Sequence, residues 1–246
     1  MKKITLYIIL FFIALQPVFS QDAKNDKEIH IPLLNEKAPS FTAESTLGKI
    51  NFPADYFGKW KIIFSHPADF TAVCTTELLE LAAMQDDFKK LNAKILVIST
   101  DGLQSHLEWI RSMESIQMKD RPAVKIGFPI ISDKSLEISR MYGMVHPASS
   151  ATRDIRGVFI IDPDDRIQSI IYYPMNVGRN LDEIKRLLTA LELSESKNVF
   201  TPANWNEGDD VLLPSPLTTK EAESLRESNN PDLYSPVWYL WFKKLK

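Results

Sequence analysis

The sequence contains a single cysteine, Cys74, among 246 residues. One cysteine excludes an internal disulfide framework and a Cys-x-x-Cys motif. Three interpretations of Cys74 remain, which are an intermolecular bridge, an inert buried thiol and a reactive thiol. Composition alone does not choose among them.

A strong charge of one sign is also missing. The chain has 29 Lys and Arg against 32 Asp and Glu, which gives a formal net charge of −3. This balance gives no reason to expect a nucleic acid as a partner. His30, His106 and His146 show no metal-ligand spacing with one another or with carboxylates, so we expect no metal site.

The long hydrophobic run of the chain lies at its N-terminus. Lys2 and Lys3 precede ITLYIILFFIALQPVF, and Val18 and Ser20 fit the small-residue positions of a secretory cleavage site. The run is short, and no basic stop-transfer cluster follows it, so a retained transmembrane anchor is the weaker interpretation. We therefore predict that residues 1–20 are a signal peptide, and that the mature protein is exported, to a periplasm or as a secreted protein.

The rest of the chain alternates between strand-length apolar runs and helical patterns. The predicted strands are WKIIFSH, ILVIST and FPIIS, and the predicted helices are LLELAAMQDDFKKL, SHLEWIRSME and KSLEISRMYGM. GVFIID and IQSIIYYP form a predicted hairpin, and Asn180 caps a last predicted helix, LDEIKRLLTALEL. This order predicts an α/β fold, a thioredoxin-like layered sheet with flanking helices.

Cys74 lies between the strand that ends near His66 and the first turn of the following predicted helix. The free N–H groups and positive dipole end of a helix N-terminus favour a thiolate over a thiol. A free thiol has a pKa of about 8.5, and lowering it by roughly two to three units corresponds to about 3–4 kcal/mol. A helix terminus supplies about 0.3–1 kcal/mol, or up to roughly 2 kcal/mol when it is partly buried. We therefore expect a cation close to Cys74.

The segment HPADFTAVCTTE resembles the active-site loop of the peroxiredoxins, which has a proline, a threonine or serine and a cysteine at the spacing of Pro67, Thr71 and Cys74. The flanks FSHP and CTTEL resemble the one-cysteine subfamily of AhpC/TSA type. The likeness continues through IRGVFIIDPD, YYPMNVGRNLDEI and FTPANWNEGDDVLLP. It implies a thioredoxin-like peroxiredoxin domain over residues 31–193 and a small C-terminal one-cysteine extension domain over residues 194–246.

The resemblance also implies roles for individual residues. Cys74 would be the peroxidatic cysteine, which attacks a peroxide oxygen and becomes a sulfenic acid. Thr71 would bind the peroxide, Pro67 would shield the thiolate from water, and Arg156 would be the required cation. Glu77 would orient Arg156.

Two more residues match the subfamily, and two positions depart from it. His66 would lie beside the sulfur, although a histidine that closes a strand is often structural. Arg179 matches a second arginine near the pocket, with a surface charge at a helix N-terminus as the alternative. Ala72 replaces the usual proline, which loosens the loop without removing a reacting group. Lys59 and Trp60 stand where some relatives carry a phospholipase serine, so we expect no lipase activity.

The resemblance implies a thiol-dependent peroxidase that reduces hydrogen peroxide and small organic hydroperoxides without a metal, haem or flavin cofactor. Because the chain has no resolving cysteine, an external thiol must reduce the sulfenic acid. Relatives form homodimers and some form larger rings, so we expect a homodimer. Two alternatives remain. The first is a thiol–disulfide oxidoreductase, against which the missing Cys-x-x-Cys argues. The second is a non-enzymatic redox sensor or holdase.

The aromatic C-terminal tail PDLYSPVWYLWFKKLK is a separate feature. It could contact a membrane surface or a partner. We expect it to dock on its own protein or on a sister subunit instead.

Overall fold

The computed structural model of the chain describes residues 31–118 and 122–245. The predicted signal peptide, residues 1–20, and His30 lie outside these described residues. Within the described residues, no helix combines the length and the apolar character that crossing a membrane requires.

A seven-stranded sheet forms the centre of the fold. Its strands β1 to β7 are Phe41–Ser45, Gly48–Phe52, Trp60–Ser65, Ala93–Ser99, Ile130–Ser132, Arg156–Ile161 and Ile167–Tyr173. They lie in the order β2-β1-β5-β4-β3-β6-β7. β3 pairs in parallel with β4 and antiparallel with β6. Every residue of β3 and β6 is buried, which explains why both strands are mainly apolar.

Helices cover both faces of this sheet. α1 to α5 are Ala72–Lys90, Leu103–Met113, Glu137–Met141, Leu181–Lys197 and Thr219–Glu227. α1, α2 and α4 pack over one apolar cluster, which includes Trp60 and Trp109, and α3 contributes to a second cluster on the opposite face. This architecture confirms the predicted thioredoxin-like layered fold.

One predicted helix is shorter than its sequence pattern indicates. The segment KSLEISRMYGM forms a helix only over Glu137–Met141. Leu136 and Gly143, at its two ends, both have positive φ angles, of 63° and 64°. A left-handed residue interrupts the repeating helical backbone, so the helix is confined between these positions.

The chain beyond α4 forms a small additional unit. Strands β8 (Val211–Leu212), β9 (Leu233–Val237) and β10 (Leu240–Lys243) make a sheet in the order β8-β10-β9. A short apolar cluster that includes Trp205 and Val211 attaches this unit to the end of α4. α4 continues to Lys197, so the predicted boundary between residues 193 and 194 falls inside a helix and stays a prediction.

Among the described residues, the carboxyl group of Asp154 is deeply buried. Asp154 is 0% exposed, and neither of its oxygens has a hydrogen-bond partner among the described residues. Burial raises the pKa of Asp154 to about 8, while the nearby Ser139 hydroxyl opposes the rise and the charges of Asp133 and Asp101 add to it. Asp154 therefore holds its proton at neutral pH in the folded protein.

This burial predicts a pH-dependent stability. The unfolded carboxyl ionises near pH 4 and the folded one near pH 8, so unfolding becomes progressively easier as the pH rises between these values. In urea denaturation, Asp154→Asn should match the wild type near pH 4 and exceed its free energy of unfolding at pH 8 by about 1–3 kcal/mol. Asp164→Asn, at an exposed position, is the control. Equal pH dependence in the wild type and Asp154→Asn would contradict this prediction.

Candidate active site

Cys74 lies in the first turn of α1, three residues after the N-cap, Thr71. Cys74 is 0% exposed. The Thr71 carbonyl accepts hydrogen bonds from the backbone N–H of Thr75 at 2.9 Å and from its hydroxyl at 2.8 Å. Cys74 is therefore held at the predicted position, where β3 passes through a short loop into a helix.

Arg156 supplies a cation beside the sulfur. It begins β6, and the antiparallel pairing of β6 with β3 places the start of β6 next to the end of β3. Arg156 Nη1 lies 3.2 Å from Cys74 Sγ and 2.7 Å from Glu77 Oε2. Its Nε and Nη2 donate to the Met175 carbonyl at 2.9 and 2.6 Å. The guanidinium thus has a fixed orientation against the sulfur, and the cation expected from the sequence is present.

Glu77 joins Arg156 to a second buried arginine. Glu77 Oε1 accepts from the backbone N–H of Arg179 at 2.8 Å and from its Nε at 3.0 Å, and Oε2 accepts from its Nη2 at 2.8 Å. Arg179 Nη1 donates to the carbonyls of Ser65 and Gly157, both at 2.9 Å. The Arg179 side chain is 1% exposed, so the alternative of a surface charge is wrong.

The charges of this buried triad do not cancel. Burial alone would raise the pKa of Glu77, but Arg179, and then Arg156, outweigh that effect and hold its pKa below the usual range. Two guanidinium groups and one carboxylate leave a net charge of +1 in a region shielded from water. Buried charge without compensation is costly, and a thiolate at Cys74 brings the group to neutrality. The site therefore favours an anionic sulfur.

The loop before α1 contains the other predicted residues. Pro67 is buried, and Thr71 is partly exposed with its hydroxyl donating to the Ala68 carbonyl at 2.9 Å. Ala72 is exposed and is the first residue of α1. Phe70 lies in the left-handed region with a φ of 54°. The loop thus brings Pro67 and Thr71 to the N-terminus of the helix that holds the sulfur.

His66 takes part in a hydrogen-bond cluster that the sequence reasoning missed. Its Nε2 lies 2.9 Å from Asp69 Oδ1, and Asp69 Oδ2 lies 2.8 Å from His106 Nδ1 and 2.7 Å from Ser105 Oγ. The position of Asp69 inside HPADFTAVCTTE could have indicated a role. His106 and Ser105 belong to α2, and no local pattern connects them to the loop.

The fold also brings together atoms of types that bind metals. Single ligand atoms of His66, Asp69 and Asp101 lie within 4.8 Å of one another. These groups already have partners, because Asp69 faces His66 and Asp101 Oδ2 accepts from the Asp69 backbone N–H at 2.8 Å and from Ser99 Oγ at 3.2 Å. The histidine spacings considered in the sequence did not include this group.

Comparison with known proteins identifies the chain. The model of the AhpC/TSA family matches residues 34–170, and the model of the C-terminal domain of 1-Cys peroxiredoxin matches residues 190–229. The chain belongs to the peroxiredoxin family. A peroxiredoxin of Methanosarcina mazei is 43% identical over 215 residues, which cover 87% of this chain and 98% of that one. A peroxiredoxin of Thermotoga petrophila is 43% identical over 222 residues, which cover 89% of this chain and 100% of that one.

Solved structures place this peroxiredoxin among the one-cysteine type. A yeast mitochondrial 1-Cys peroxiredoxin has a TM-score of 0.76 and 36% identity, and the match covers 87% of this chain and 100% of the yeast one. A mutant of Peroxiredoxin 6 of Arenicola marina has a TM-score of 0.75 and 33% identity, covering 87% and 98%. The predicted family and subfamily are therefore confirmed.

The buried triad of this peroxiredoxin predicts a large effect of Glu77→Gln. Loss of the carboxylate leaves two buried guanidinium groups uncompensated, so the free energy of unfolding at pH 7 should fall by about 3–5 kcal/mol. Because the folded pKa of Glu77 is lowered, its contribution is present above about pH 4.3 and is lost as the pH falls further. The variant should lack this part of the acid sensitivity.

Urea denaturation at several pH values measures both effects. Glu44→Gln, at an exposed position of β1, is the matched control and should behave as the wild type. A Glu77→Gln variant as stable as this control would show that the triad does not depend on its carboxylate.

Proposed function

We propose that this peroxiredoxin reduces hydrogen peroxide and small organic hydroperoxides through a sulfenic acid at Cys74, with an external thiol as the reductant. The observation that carries the proposal is the 3.2 Å contact between Arg156 Nη1 and Cys74 Sγ. This contact is part of the buried triad of Arg156, Glu77 and Arg179. A thiolate at Cys74 neutralises the net positive charge of the triad. A thiolate is the nucleophilic form of cysteine, so the site favours the species that the reaction needs.

In the first step, the Cys74 thiolate attacks one peroxide oxygen and the O–O bond breaks. The second oxygen leaves with the bonding electron pair and takes up a proton, which gives water or an alcohol. An arginine has five N–H groups, and four of those on Arg156 have acceptors among the described residues. The fifth is left to bind a peroxide oxygen and to stabilise its developing charge. The Thr71 hydroxyl donates to Ala68 and can accept a hydrogen bond from the peroxide, while buried Pro67 excludes water.

In the second step, a thiol attacks the sulfenic acid, releases water and forms a mixed disulfide with Cys74. A second thiol then displaces the Cys74 thiolate and forms a disulfide with the first. Each peroxide thus consumes two thiols. The chain has no second cysteine, so both thiols come from outside. For the yeast mitochondrial relative, thiol resolution runs via the glutathione and thioredoxin systems, and we propose a thiol of that chemical class here.

This reaction predicts a defined stoichiometry. In stopped-flow measurements, the wild type should rapidly consume one equivalent of hydrogen peroxide, and mass spectrometry of the trapped product should find a sulfenic acid on Cys74. With dithiothreitol present, many peroxides should be consumed per cysteine. Cys74→Ser should abolish both reactions, because a hydroxyl lacks the nucleophilicity and the redox chemistry of a thiolate.

The same experiment tests the alternative of a redox sensor or holdase. A sensor would stop after about one equivalent even when dithiothreitol is present. A thiol in the wild type that reacts no faster than free cysteine would contradict the proposed role of Arg156 and Thr71.

We further propose that the protein is exported and forms a homodimer. Export is supported by the basic and apolar pattern of residues 1–20 and by the small residues before Gln21. Self-association is supported by the C-terminal unit, where α5 has no buried residue and Trp238 and Tyr239 are 59% and 51% exposed. Exposed aromatic side chains in such number are typical of an interaction surface.

Native mass spectrometry of the protein purified from its source tests both proposals at once. We expect a subunit mass equal to residues 21–246 and an assembly of two subunits. A subunit that retains Met1 would contradict export with cleavage of a signal peptide, and a monomer at micromolar concentration would contradict the dimer.

A further inference from the structure

Asp69 connects the loop before Cys74 to three separate parts of the fold. The Asp69 side chain is 2% exposed. It faces His66 at the end of β3, and both Ser105 and His106 in the first turn of α2, at 2.7–2.9 Å. Its backbone N–H donates to Asp101, in the segment between β4 and α2. Four hydrogen bonds therefore hold this one residue.

The residue that follows Asp69 is strained. Phe70 has a φ of 54°, and a left-handed conformation costs a non-glycine residue about 1–3 kcal/mol. Such a conformation persists only where the surroundings enforce it. Asp69 anchors the chain before Phe70, and Thr71 anchors it afterwards through the bond from its hydroxyl to Ala68. The strained turn is thus held on both sides.

Asp69 also orients the ring of His66, whose pKa burial lowers against the opposing effect of the Asp69 carboxylate. Burial alone would raise the pKa of Asp69, but hydrogen bonds from His106 and His66 outweigh it and hold the pKa well below the usual range. Burial lowers the pKa of His66, so its ring is neutral at pH 7. A neutral imidazole has a single N–H, and since Nε2 faces the carboxylate, the proton lies on Nε2. The Nδ1 atom, which has no hydrogen-bond partner among the described residues, is therefore unprotonated.

We propose that Asp69 is a positioning residue for the peroxidase reaction. Its carboxylate fixes the loop of residues 66–71, and through this loop it fixes the Thr71 hydroxyl and the start of the helix that holds Cys74. His106 acts with it by holding the carboxylate from α2. The inference rests on the proposed peroxidase function. It gives a positioning role to Asp69 and His106, which take no direct part in the reaction.

Asp69→Asn is the main test, because it keeps the shape of the side chain and loses its charge and one of its acceptors. The rate constant of Cys74 with hydrogen peroxide should fall about 10–100-fold, as for other losses of orientation. Alkylation of Cys74 by iodoacetamide should change less than about threefold, because it does not need the geometry around Thr71. Unfolding would instead expose Cys74 and accelerate alkylation. Asp86→Asn, at an exposed position of α1, should keep both rates.

Two variants of His106 test the same arrangement without changing Asp69. His106→Asn retains an N–H donor close to the position of Nδ1 and should stay within about threefold of the wild type. His106→Leu removes the donor and should lower the peroxide rate about tenfold or more. Equal rates in these two variants, or a full rate in a natively folded Asp69→Asn, would overturn the inference. A wild type that does not consume peroxide would instead overturn the proposed function.

The wild type also permits a direct test of the contact between Asp69 and His66. Nitrogen NMR of protein with labelled histidine distinguishes a cationic ring and the two neutral forms, and His66→Gln identifies the His66 signals among the 4 histidines. At pH 7 we expect a neutral His66 with its proton on Nε2. A neutral ring with its proton on Nδ1 would contradict the role of Asp69, because Nε2 could then not donate to the Asp69 carboxylate.

Discussion

The site depends on one ionic arrangement, in which the Glu77 carboxylate lies between the guanidinium groups of Arg156 and Arg179. Two buried cations with one buried carboxylate retain an excess positive charge, and the sulfur of Cys74 is in contact with it at 3.2 Å. A surface pair of this kind would be screened by water and would contribute little. Because the triad is buried, its excess positive charge is not screened and acts on the sulfur. Burial also means that removing one member of the triad leaves the charges of the others without compensation.

The fold supplies this arrangement through the relation of β3, β6 and α1. Arg156 begins the strand beside β3, while Glu77 stands about one turn after Cys74 on the helix that follows β3. Residues three apart on a helix share a face, so the carboxylate and the sulfur approach the same guanidinium. Arg179 enters from the segment before α4 and binds the carbonyls of Ser65 and Gly157. It thereby ties the ends of β3 and β6 to the triad.

The sequence predicts the strands and helices that hold the triad, because β3, β4, β6 and the buried faces of the helices carry clear apolar patterns. It does not predict β1 and β2, since their segments FTAES and GKINF are half exposed and carry few apolar residues. The resemblance to the peroxiredoxins indicated Cys74, Thr71 and Arg156. The burial of Arg179 and the contacts of Asp69 with α2 depend on residues that are 102 and 37 positions apart. Local patterns hold no information about such contacts.

Ala72 stands where the resemblance to the peroxiredoxins predicts a proline, and the structure shows how the loop can do without it. Proline favours the first position of a helix because its φ is already fixed and its missing N–H is not needed there. In this chain, hydrogen bonds provide the constraint instead: Thr75 binds the Thr71 carbonyl, and the Trp109 indole donates to the Thr75 hydroxyl at 3.3 Å. Since Ala72 is exposed, a proline ring there would add local stiffness and little packing. The geometry around Cys74 therefore depends mainly on buried polar contacts, which the substitution leaves in place.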